Sequence, residues 1–146
     1  MSRHTARIHA SNLIFQFPFH PEWDREELTG VAERYITDLP DLQGIIRGLK
    51  PSKDDKIFFE QEVFGTFENL QQIDDLISAK LKDWELSRIA KIDLALLRLA
   101  VYEIRFASDI TSATAINEAV ELAKVYGTDD SPAFINGVLG QVVANG

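Results

Sequence analysis

The chain is written largely in the period of helices. Apolar residues recur at three- and four-residue spacing over most of its length, and the alternation that strands require is scarce. Ala6, Ala10, Leu13 and Phe17 share one face of a first helix over roughly residues 3–17. Pro18 and Pro21 stop it, because proline lacks the N–H a helix needs. Asp24 caps a second helix reaching about Asp38, with Leu28, Val31, Ala32, Tyr35 and Ile36 as its apolar face. The segment from Pro40 to Pro51 holds two glycines and reads as a loop. Ser52, with Asp55 three residues on, has the form of a capping box and opens a helix near Lys53. Its apolar positions are Phe59, Val63, Phe67 and Leu70, continuing in Ile73, Leu76, Ile77 and Leu81, with Gly65 and Gln71–Gln72 as places to bend or break.

From Ile89 to Ile104 only Lys91, Asp93, Arg98 and Glu103 interrupt an apolar run. A helix apolar nearly all round has neighbours on several sides, so this one is central. Thr111 or Ser112 caps the next helix, and Gly127 ends it in the left-handed conformation that glycine adopts cheaply. Ala115, Ala119 and Ala123 form a smooth ridge along it. Ser131 and Pro132 read as N-cap and first residue of a last helix, which buries Phe134 or Ile135, then Val138, Leu139 and Val142. The expected fold is all-α, with about seven helices.

Size and composition narrow the class. At 146 residues the chain fits one domain, residues 1–146, and 45% hydrophobic with 26% charged residues describes an ordinary globular protein. There is no cysteine, which excludes disulfides, thiolate metal sites and a cysteine nucleophile, and suits a cytoplasmic location. No signal peptide and no membrane-spanning stretch is read.

The net charge of −8 argues against a general polyanion binder. The charge is unevenly placed, however. Arg3, Arg7 and all three histidines precede the first acidic residue, Glu22, which gives a small cationic end on an acidic body.

Catalytic signatures are missing: no G-x-S-x-G, H-E-x-x-H, P-loop or G-x-G-x-x-G string occurs. His4 and His9 point about 140° apart on a helix and cannot share a metal there. Acidic pairs such as Asp54–Asp55, Asp74–Asp75 and Asp129–Asp130 sit at helix starts or exposed faces, where the helix dipole favours several of them without catalysis. The sequence therefore reads as no enzyme, with no cofactor and no metal. One stripe on the first helix fits single-stranded nucleic acid. Arg3 and Arg7 suit phosphates, Ser11 a sugar or base edge, and Phe15 base stacking. Phe15 as core and Ser11 as plain surface is the competing reading of those two residues.

Longer strings decide between binding classes. Arg98-Leu99-Ala100-Val101-Tyr102-Glu103 is followed by Ala115-Ile116-Asn117-Glu118-Ala119-Val120-Glu121-Leu122-Ala123-Lys124. After Gly127 come Ser131 and Phe134-Ile135-Asn136-Gly137-Val138-Leu139. In order and spacing this resembles the bacterial NusB family of transcription antitermination factors, densely from about Trp84 to Leu139 and more loosely over residues 18–80. The resemblance implies two small helical bundles and no catalysis. It also implies binding of boxA-type RNA together with NusE, a small-subunit ribosomal protein, in support of antitermination on the transcription elongation complex, notably during ribosomal RNA synthesis. By position it assigns Arg7, Phe15, Asp130 and Phe134 to the RNA surface and Asp93 to the NusE-binding face. Phe134 keeps two readings, a core seal or a base-stacking ring.

The N-terminal arginine run is thin here, which implies reliance on the partner to complete the RNA surface. Thr111 stands where a proline is frequent, and Gly140 where an acid is. Gly137 inside a helix implies close helix contact to offset its cost. Two alternatives accompany this reading: a homodimer that masks its RNA face, and a stand-alone relative of the RNA-binding domain of ribosomal RNA methyltransferases.

Overall fold

A computed structural model describes residues 2–42, 52–82 and 85–144. Its seven α-helices are α1 (Arg3–Gln16), α2 (Arg25–Leu42), α3 (Lys53–Glu68), α4 (Leu70–Ser78), α5 (Lys91–Phe106), α6 (Ser112–Tyr126) and α7 (Ser131–Ala144). Short 3-10 turns occupy Phe17–Phe19 and Leu86–Arg88, and no strand occurs among the described residues.

The side chains collect into two cores. One gathers Leu13, Ile14 and Phe17 of α1 and its end, Leu28 and Ala32 of α2, and Phe59 and Val63 of α3. The other gathers Ile73 and Ile77 of α4, Leu122 of α6, and Ile135, Leu139 and Val142 of α7. Helix α5 serves both, giving Ala95 and Leu99 to the first and Leu96, Leu97 and Val101 to the second. It packs against α1, α3, α4, α6 and α7, which explains why its sequence is apolar on nearly every side. Two bundles share one helix.

Local signals set most helix ends. Ser52 and Asp55 close the capping box in both directions, each at 3.1 Å. The Thr111 hydroxyl accepts from the Thr114 N–H and caps α6. The expected core stripe of α1 (Ala6, Ala10, Leu13, Phe17) is buried throughout.

Some expectations shift. Helix α2 runs past Asp38 to Leu42 with Pro40 in its last turn; the rest of the expected loop, residues 43–51, lies outside the described residues. Helix α5 starts at Lys91 rather than Ile89, because the Leu86–Arg88 turn leaves Ile89 and Ala90 extended. The chain breaks at Asn69, not at Gly65 or Gln71–Gln72. Helix α7 opens one residue early: the Phe134 N–H already bonds to the Asp130 carbonyl, so Ser131 is the first helical residue and not the cap. Gly127 ends α6 in an extended conformation. What demands glycine there is space, since a Cβ would lie 2.5 Å from the Ser131 hydroxyl. Gly137 meets no close helix contact, because a Cβ there would find nothing within 4 Å.

Candidate nucleic-acid interface

The stripe expected on α1 turns as it climbs. Residues four apart drift by about 40° per step on a 3.6-residue helix, so Arg3, Arg7, Ser11 and Phe15 cannot all face one way. Arg3 is exposed; its guanidinium stands 4.5 Å over the Phe58 ring and donates to Asp109 at 3.2 Å. His4 meets Glu118 at 2.7 Å through Nδ1. Arg7 is buried, against expectation, at 4% exposure. It donates through Nε to Glu103 at 2.8 Å and through a terminal nitrogen at 3.2 Å, with Glu62 and Glu118 each 3.7 Å away. The Ser11 hydroxyl is also buried and donates to the Ile8 carbonyl. Phe15 is half-buried, packed on the first core with its ring 5.6 Å from Phe19. Of the expected phosphate and sugar contacts on this helix, Arg3 alone faces water.

Arg7 anchors a buried ionic cluster that the sequence reading missed. Burial disfavours its charge, but the Glu103 hydrogen bond and the surrounding carboxylates outweigh that and hold its pKa above the ordinary value. Burial drives the Glu62 carboxyl far above the usual carboxylate range, and a hydrogen bond with Glu103 and the charge of Glu103 push it further. At neutral pH the Glu62 member of this cluster is thus held in its neutral form beside the Arg7–Glu103 pair. Glu103 gave a signal in the sequence, as a charge within an all-round apolar helix; Glu62 gave none, lying on a helix rich in other acids.

The remaining expected site residues converge. Asp93 from the first turn of α5 meets Asp130 and Phe134 from the start of α7 around a pocket of about 280 Å3, together with Arg88. The family resemblance assigns these residues to two different faces, one for protein and one for RNA. Asp130 is exposed and Phe134 half-buried, so Phe134 both seals and lines the pocket. Asp93 is only 8% exposed, against the expectation of an open carboxylate, and its Oδ1 has no hydrogen-bond partner among the described residues. Its place in the first turn of α5 explains how a charge is tolerated there, since the helix dipole favours it. Among the described residues no group of three potential metal ligands converges.

The NusB family pattern matches residues 4–144. The chain belongs to the NusB family. The transcription antitermination protein NusB of Acetivibrio thermocellus is 41% identical over 98% of this chain and 89% of its own length. The solved structure of T. maritima NusB superposes with a TM-score of 0.77 at 33% identity, covering 99% of this chain and 92% of that one. A structure of the antitermination factors NusB and NusE in complex with double-stranded RNA has the same fold, with a TM-score of 0.76 at 22% identity and full coverage of both chains. The cluster around Arg7 and the pocket around Asp93 are therefore features of a NusB-family fold.

Proposed function

We propose that this chain is a transcription antitermination factor working as one RNA-binding helical domain. It binds boxA-type single-stranded RNA jointly with NusE and supports antitermination in the cytoplasm, notably of ribosomal RNA transcription. It acts by binding, without a catalytic step, as part of the elongation complex. The likeness to transcription antitermination proteins NusB over nearly the whole chain carries this reading.

In this reading Arg3 meets phosphate, while Asp130 and the open sides of Phe134 and Phe15 meet RNA. Asp93 accepts a donor from NusE. Arg7 and Ser11 support α1 from within. Asp93, Asp130 and Phe134 share one pocket, so protein and RNA contacts abut there, which fits a surface completed jointly by two ligands.

Fluorescence anisotropy of labelled boxA RNA tests this directly. The chain with NusE should bind more tightly than the chain alone, and Phe134→Ala should weaken the joint complex. Equal binding of a scrambled RNA would overturn the reading. Light scattering on the same samples tests the homodimer, whose dissociation would have to precede RNA binding if it masks the surface.

A further inference from the structure

A second pocket, of about 210 Å3, lies between the middle of α3, the end of α5 and the loop into α6. None of the roles assigned above uses it. Phe58, Tyr102 and Phe106 supply aromatic walls. These walls are held in place. Tyr102 lies so close on α3 that a Cβ at Gly65 would stand 2.1 Å from its ring, so glycine is what admits it. Phe106 stacks beside Tyr102, with ring centroids 6.4 Å apart and planes 16° apart. Phe58 carries the Arg3 guanidinium over its face, and Arg3 reaches Asp109 at the rim.

Glu62 also lines the pocket. Its side chain is 1% exposed, and Oε1 has no hydrogen-bond partner among the described residues. The Arg7 Nε lies 3.7 Å from that oxygen, too far to satisfy it. A buried acceptor left unmade is costly, so a ligand that brings a donor gains at this point.

The pocket thus combines flat apolar walls, an acceptor within and a cation at the mouth. A purely apolar ligand leaves the acceptor unmade, and a free anion meets the Asp109 carboxylate and brings Glu62 no donor. A planar heterocycle with an N–H edge and an attached phosphate satisfies every part. We propose that this pocket receives one unstacked base of the bound RNA strand, its face on Phe106, its N–H edge toward Glu62 and its phosphate at Arg3. Single-stranded RNA is commonly held through splayed bases stacked on aromatic rings. The inference rests on the RNA-binding function proposed above.

The test uses the full chain with NusE and boxA RNAs carrying 2-aminopurine at one position at a time, a base whose fluorescence falls on stacking. One position should be quenched on binding. Phe106→Ala changes a partly exposed wall, and Ser108→Trp plugs the mouth from an exposed loop. Each should abolish that quench. Phe106→Ala should also lower affinity roughly 5- to 150-fold, as stacking losses do, with the salt dependence unchanged. An unchanged quench in both variants, or no quenched position in the wild type, overturns the pocket while leaving RNA binding standing. Tight binding of free AMP or CMP without competition from RNA would make it a nucleotide site and likewise overturn the inference. Loss of all boxA binding by the wild-type complex would remove both readings together.

Discussion

Arg7 and Glu103 are joined inside the protein by two hydrogen bonds, at 2.8 and 3.2 Å, with their side chains 5% and 1% exposed. This pair ties α1 to the central helix, so Arg7→Ala would leave Glu103 buried without its cation. The cost should be about 3–5 kcal/mol in denaturant melts. Arg3, one turn earlier, makes only an exposed ion pair and a ring contact. Arg3→Ala should cost less than about 1 kcal/mol. It should flatten the slope of log RNA affinity against log salt by about 0.7, the share of one phosphate contact to a single strand. An Arg7→Ala protein as stable as the wild type would show that the pair does not hold α1.

The neutral state of Glu62 makes stability depend on pH in an unusual direction. Its folded pKa lies above the ordinary 4.5, so its contribution is full below that value and is lost as pH rises toward the folded pKa. The loss is at most about 1.4 kcal/mol per pH unit. His9 acts oppositely: burial lowers its pKa from 6.5, so its contribution is lost as pH falls below 6.5. Between pH 8 and 9 His9 is essentially neutral in both states, and the Glu62 effect stands alone of the two. Urea melts across that window should show wild-type stability falling with pH. Glu62→Gln, which keeps the shape without the titration, should flatten the fall. Parallel profiles for the two proteins would mean that Glu62 is ionised in the fold.

The helical order, the central helix and most core faces were legible in the sequence because they depend on periodicity and capping, which are local. The solvent stripe on α1 was not, because whether Arg7 faces water depends on Glu62 and Glu103, brought to it by α3 and α5. A partial signal did exist. Three of the four charges interrupting the apolar run of α5 are buried: Asp93, Arg98 and Glu103. Charges on an enclosed helix must find partners, and Arg98 finds Asp74 through two bonds of 2.8 Å. The partners themselves lie on other helices, where one sequence gives no register. The meeting of Asp93 with Asp130 and Phe134 was illegible for the same reason: it depends on how α5 and α7 pack.

Two glycines should respond oppositely to the same substitution. Gly137 sits exposed in α7 with open space around it, so Gly137→Ala should stabilise by roughly 0.5–1 kcal/mol through lower chain entropy in the unfolded state. Gly65→Ala sets a methyl 2.1 Å from the Tyr102 ring and should destabilise by about 1–3 kcal/mol. Equilibrium melts in urea read both changes. A destabilising Gly137→Ala would mean that α7 needs the bare backbone for something beyond its own packing.

Asp93 separates stability from partner binding more sharply than any other site residue. Its Oδ1 is desolvated without a partner among the described residues, a state that costs about 1–3 kcal/mol. Against that stands its first-turn position in α5, which the helix dipole favours by roughly 0.3–1 kcal/mol at ordinary sites. Removing the carboxylate therefore relieves about as much as it forfeits, and Asp93→Ala should leave the melting temperature unchanged or slightly raised. Binding has the opposite sign. A donor from NusE entering the pocket satisfies an oxygen that is already stripped of water, and such a bond to a charged group contributes about 1.5–3 kcal/mol. Asp93→Ala should thus weaken NusE binding by roughly 10- to 150-fold in calorimetry. Asp93→Asn, which keeps an acceptor but not the charge, should fall between the two. If Asp93→Ala lowers the melting temperature by several degrees and leaves NusE affinity unchanged, the carboxylate serves the fold of α5, and the pocket belongs to RNA alone.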